Sequence, residues 1–232
     1  MRFSYHFQFN DGAAYVHKLS IDSQTCLQNT DSTCSYPHWT ELAFHQCPHC
    51  PLTAPTHRHC PIAANIAPVI EACSEVISHN KVKLTVNTEQ RSIVANTTAQ
   101  KALSSLLGLA MATSDCPYTR FFRPMAHFHL PVASAEETSF RAISSYLLLH
   151  YFSTQTVAAQ ELDFQPLLDI YKNMQIVNEN LAKRIQLDSK GDASANAVVN
   201  LHLLSCILPL SLRESLEKLR AMFHPVIDTT SP

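Results

Sequence analysis

Near the start of the chain, Phe3, Tyr5, Phe7 and Phe9 alternate with Ser4, His6 and Gln8; after Asn10-Asp11-Gly12, the series Tyr15, His17, Leu19 and Ile21 alternates again. A period of two interrupted by Asp-Gly predicts a β-hairpin. Residues 22–60 lose this periodicity and collect Pro, Cys and His, a composition that does not build an ordinary apolar core and must be ordered by something else. From Pro61 to Ser78, Ile62, Ile66, Val69, Ile70, Cys73, Val76 and Ile77 fit helical spacing, with Pro68 kinking the helix or opening its second half. Val82, Leu84 and Val86 alternate with Lys81, Lys83 and Thr85, and Ile93 and Val94 follow a polar turn, so a second hairpin is expected over 81–97. Thr98 to Thr113 reads as a buried helix rich in small residues.

The second half reads as mostly helical. Ser134 and Glu137 form a capping box for a helix reaching about Phe152, its buried stripe read as Phe140, Ile143, Leu147 and Tyr151. Leu167, Ile170, Tyr171, Met174, Val177, Leu181 and Ile185 mark the next helix. Asp192 is placed to cap a third, carrying Val198, Leu201, Leu204 and Leu208; Ser211 with Glu214 is placed to start a fourth that ends at Pro225. The expected class is α+β: an N-terminal region (1–132) of β-hairpins with a Cys/His-rich zinc-binding loop (22–60), followed by a helical region (133–228) packed on it as one unit.

Composition narrows the function. Among 232 residues, 17 Lys+Arg against 19 Asp+Glu leave a net charge of −2, too little positive charge to track nucleic-acid phosphates or an anionic membrane. Only Gly12, Gly108 and Gly191 occur, which excludes a P-loop, a dinucleotide-binding glycine turn and a nucleophile elbow, all of which need clustered glycines. The N-terminus lacks the apolar run of a secretory signal, and the apolar stretches 103–112 and 197–210 fall short of an uninterrupted membrane span. The expectation is a cytoplasmic chain without a transmembrane helix, with a protein or small molecule as partner.

The chemistry lies in 8 Cys and 13 His. In HQCPHCPLTAPTHRHCP, Cys47 and Cys50 form a C-x2-C knuckle whose thiolates can converge on one tetrahedral Zn2+; Cys60 follows, and Cys116 heads a further Cys-Pro dipeptide. These four make a candidate closed site, with His45, His49, His57 or His59 as alternative fourth ligands. Cys26, Cys34, Cys73 and Cys206 read as buried small hydrophobes or loop thiols. A rival reading takes Cys-Pro-His-Cys as a redox pair, since it resembles the active-site frame of periplasmic thioredoxin-fold oxidants, with Cys47 as nucleophile and Cys50 as resolving thiol. Against it, Pro51 and Pro55 break the helix that should follow, and no Thr-Pro offers the usual cis-proline.

RPMAHFHLP supplies a second cluster: if extended, His127 and His129 share one strand face, and Glu136, Glu137 and Arg141 approach from the following helix. That is an enzyme-like set, with a carboxylate as base and Arg141 for an anionic group. The plainer alternative is an edge strand beside an ordinary Glu137–Arg141 helix pair.

In order, WTEL, FHQCPHCPL, CPIA, SDCP, HFHLP and EETSFR resemble an uncharacterised bacterial family known only as a domain of unknown function. The resemblance implies that Cys47, Cys50, Cys60, Cys116, His129, Glu137 and Arg141 belong to a family pattern; it implies no activity. A binding or regulatory protein with structural zinc is therefore the first expectation, with an enzyme at His127/His129/Glu137/Arg141 or a thiol-disulfide oxidoreductase as alternatives.

Overall fold

The computed structural model describes residues 1–29, 35–153, 162–186 and 192–230, with side chains to Phe223. Cys34 lies outside these residues. The first hairpin is β1 (Arg2–Phe9) and β2 (Ala14–Ser20), paired antiparallel with Tyr5 opposite His17. Its turn takes Gly12 to φ +88, the left-handed region that a residue without Cβ enters at little cost. The second hairpin is β3 (Lys81–Asn87) and β4 (Ser92–Thr98). β1 also pairs with β3, giving one antiparallel sheet in the order β2-β1-β3-β4.

Alternation puts Phe3, Tyr5, Phe7, Val82, Leu84 and Val86 on one face of this sheet, all buried. That face packs against α1 (Pro61–Ala72) and α2 (Ala99–Ala112), whose Ile62, Ile66, Val69, Leu103, Leu106 and Leu107 complete the core. A short helix α3 (Arg123–His127) leads to α4 (Ala135–Ser153), α5 (Gln165–Gln186) and α6 (Ala193–Thr230). The α5 residues Met174, Val177, Leu181 and Ile185 join the sheet core, while Leu167 and Tyr171 of the same helix join a second cluster with Ile143, Tyr146, Leu208 and Leu212. One long amphipathic helix thus belongs to both halves of the molecule.

Four local expectations need correction. The two final helices are one continuous helix: Pro209 sits inside α6. Lacking N–H, it leaves the Ser205 carbonyl without its helical donor, and Gln175 Nε2 of α5 supplies one at 3.1 Å. Asp192 does hold the N-cap position of α6, its carbonyl accepting from Asn196 N at 2.9 Å, but its carboxylate accepts from Ser78 N (2.8 Å), Ser78 Oγ (2.9 Å) and Asn196 Nδ2 (3.0 Å) instead of first-turn backbone N–H groups, tying the start of α6 to the segment after α1. The buried side of α4 is Ser139, Ala142, Ile143 and Tyr146, with Phe140, Leu147 and Tyr151 exposed, because apolar residues surround this helix and the periodicity does not select a face. Finally, α6 runs through Asn200, His202 and Pro209, and over Ala193–Phe223 it is long and apolar enough to cross a membrane. One side of it is occupied by protein, with Ala193, Ala197, Val198, Leu208 and Leu212 buried.

Candidate metal centre

The segment carrying the knuckle closes on itself at its base. Glu41 bridges His59 as an antiparallel pair, Leu42 N donates to Arg58 O at 2.9 Å, and Cys60 N donates to Thr40 O at 2.8 Å. Trp39 and Leu42 are buried, so this stretch contributes two apolar anchors even though it has no period. Further order comes from Arg184. On α5 and only 2% exposed, it donates from Nη1 to Trp39 O (2.8 Å) and Glu41 O (2.7 Å), and from Nη2 to Leu42 O (3.0 Å). Sequence reasoning missed this residue. The available clue was a cation inside the apolar stripe of α5, between Leu181 and Ile185.

Cys47, Cys50, Cys60 and Cys116 all line one cavity of about 20 Å³, with Leu42, Val177, Tyr118 and Arg184 around them. Such a volume accommodates one water-sized or ion-sized occupant. None of His45, His49, His57 and His59 lines it. Cys50 N donates to Cys47 O at 3.0 Å, closing the knuckle turn. Cys60 and Cys116 each hold the N-cap position of a helix whose first turn begins with Pro61 or Pro117, and both are extended (φ −65, ψ 121 and φ −68, ψ 129). That is the backbone a following proline favours. Each of the four cysteines precedes a proline, whereas Cys26, Cys34, Cys73 and Cys206 do not, a pattern that separates the two groups in the sequence itself. A further brace joins the segments: the Tyr118 and His49 rings lie 4.1 Å apart, and Tyr118 OH donates to His49 O at 2.5 Å.

Burial, and then the neighbouring Cys60 and Cys50, push the Cys47 thiol up to about 11; burial above all pushes Cys116 up to about 12. These shifts oppose the lowered pKa that activates a redox cysteine, and turn and loop rather than helix follow Cys50. Arg184 lies close enough to favour the thiolates, and among the described residues it makes no ion pair with a carboxylate. Among those residues, no group of three or more His, Cys, Asp or Glu side chains is placed to hold a metal ion. The backbone thus gathers the four cysteines around one space, while their side chains do not form a ligand sphere as they stand.

The second cluster is dispersed. His127 ends α3 instead of lying on a strand, because Pro124 opens a helical turn there; its Nδ1 faces Cys26 Sγ at 3.9 Å. His129 turns inward, where its Nε2 meets the Tyr5 hydroxyl, and burial holds it neutral with a pKa near 3. Glu137 is consumed in the capping box, accepting from Ser134 N at 2.7 Å while its own N–H donates to Ser134 Oγ at 3.1 Å. Arg141 donates from Nη2 to Met125 O and to Phe128 O (3.1 Å). His129 and Arg141 line one large cavity; His127, Glu136 and Glu137 do not.

No curated protein and no solved structure matches this chain. A family model does match, over residues 3–224. The match takes in the cysteine loop, both hairpins and the helical half, and the chain belongs to the family described as Domain of unknown function (DUF6901).

Proposed function

We propose that the protein is a binding or regulatory module of a reducing, cytoplasmic compartment, in which one structural Zn2+ held by Cys47, Cys50, Cys60 and Cys116 joins the cysteine loop to the ends of α1 and α2. The observation that carries this reading is the convergence of these four cysteines, from three separate stretches of chain, on one ion-sized cavity beside a buried guanidinium that has no carboxylate partner among the described residues. Four thiolates around Zn2+ carry a net charge of −2, which offsets the charge of Arg184; four neutral thiols leave it balanced only by carbonyl dipoles. Closing the ligand sphere requires the four sulfurs to draw together around the cavity that they line. A site saturated by four thiolates has no open position for substrate, so it supplies folding free energy and not catalysis.

Native mass spectrometry of the full chain tests this. The expected result is about one zinc per chain, lost together with thermal stability in Cys60→Ser. Protein that carries no metal as purified, and takes none up when refolded with zinc, overturns the proposal.

A further inference from the structure

Between α2, α5, α6 and the 129–135 segment lies a cavity of about 700 Å³, separate from the cysteine cluster. Its size falls within the roughly 300–1,000 Å³ typical of small-molecule sites. Two features shape its walls. Gly108 leaves out a side chain where α2 meets α6; a Cβ there would stand 3.3 Å from Leu201 Cδ2. The 129–135 segment is pinned at its middle, where Val132, at φ +56, donates its N–H to Ser105 Oγ at 3.1 Å.

The walls are mostly apolar, with Leu109, Met111, Met174 and Leu204 among them. The charged lining is one-sided: Lys101 and Arg141 contribute, and no Asp or Glu does. Arg141 is anchored through Nη2 alone; among the described residues its Nε and Nη1 make no hydrogen bond, and Glu137, one turn away on α4, acts on it electrostatically without coming within ion-pair distance. A guanidinium with donors to spare at the wall of an apolar cleft matches a carboxylate attached to an apolar body.

We propose that this cavity is a binding site for a small apolar monocarboxylic acid, its carboxylate received by Arg141 and its hydrocarbon body lying between Met174 and Leu204. This inference is independent of the zinc site, since it uses no residue of the cysteine cluster.

Isothermal titration of the full chain with decanoate and with 1-decanol, both below their aggregation limits, separates charge from apolar burial. The expected result is saturable binding of one decanoate per chain, with decanol at least tenfold weaker. Arg141→Gln should remove that preference, and Leu204→Trp, which fills the cleft without touching a polar contact, should abolish decanoate binding while the circular dichroism stays native. Absence of saturable decanoate binding overturns the proposal, as does equal binding of the two probes or binding that survives both substitutions. If Arg141→Gln fails to fold, Leu204→Trp and the comparison of probes still decide.

Discussion

Replacing Arg184 with Met removes a guanidinium whose three hydrogen bonds hold the carbonyls of Trp39, Glu41 and Leu42. Methionine fills similar space but donates nothing, so the buried Trp39 and Leu42 contacts and the half-buried Glu41 contact lose their donor. Each unpaired buried polar group costs about 1–3 kcal/mol. Such costs are not additive within one cluster, so three carbonyls at about 1–3 kcal/mol each, with no charge left orphaned, amount to about 3–5 kcal/mol together. Against a typical total stability of about 5–15 kcal/mol, that is a large fraction. Trp39 is the single tryptophan, is 4% exposed and is itself one of the clamped residues, so its fluorescence reports the event directly. Urea unfolding followed by that fluorescence should show a loss of about 3–5 kcal/mol in Arg184→Met, the cost of the orphaned carbonyls. Arg184→Lys should fall in between, because an ammonium keeps the charge but cannot reproduce the fork. Arg184→Met within about 1 kcal/mol of the parent would refute the clamp, since even one orphaned carbonyl should cost that much.

Other predictions follow from single contacts. His129 is neutral in the fold with a pKa near 3, against 6.5 when exposed, so the unfolded chain takes up the proton first. Its contribution to stability is complete above pH 6.5 and declines by about 1.4 kcal/mol per pH unit as pH falls toward 3; His129→Gln should flatten that slope in urea titrations, and an unchanged slope would contradict it. Gln175→Leu should cost about 1–3 kcal/mol by orphaning Ser205 O, and Pro209→Ala should restore most of it by returning an N–H; strictly additive effects would show that the two are uncoupled. Cys47→Ser and Cys60→Ser should both lower the melting temperature, whereas a redox role predicts that Cys47→Ser leaves stability intact and abolishes thiol-disulfide exchange.

Much of the architecture was legible because its cues are local. Period-two alternation with Asp-Gly marks β1 and β2, and Ser134 with Glu137 marks the start of α4. Legibility failed where the deciding partner is distant in sequence. The periodicity of α6 breaks at Pro209, but Gln175 repairs the lost hydrogen bond from another helix, so the break does not appear in the fold. His127 and His129 read as a strand face only if extended; Pro124 sets a helical turn instead, and His129 is drawn to Tyr5, 124 residues away. The candidate site was half legible: spacing and the Cys-Pro dipeptides single out four cysteines. Arg184, which orders the loop around them, has no motif, since its partners are backbone carbonyls of any sequence.

Titrating the metal-free chain with Co2+ and recording its spectrum shows whether Cys47, Cys50, Cys60 and Cys116 form one metal-binding sphere. Four thiolates in tetrahedral geometry predict saturation at one Co2+ per chain, with intense sulfur-to-cobalt charge transfer and tetrahedral d–d bands that Zn2+ displaces. The bands should weaken or shift in each of the four single Cys→Ser variants and remain in Cys73→Ser. A spectrum of octahedral cobalt, or one unchanged by Cys116→Ser, would contradict the account.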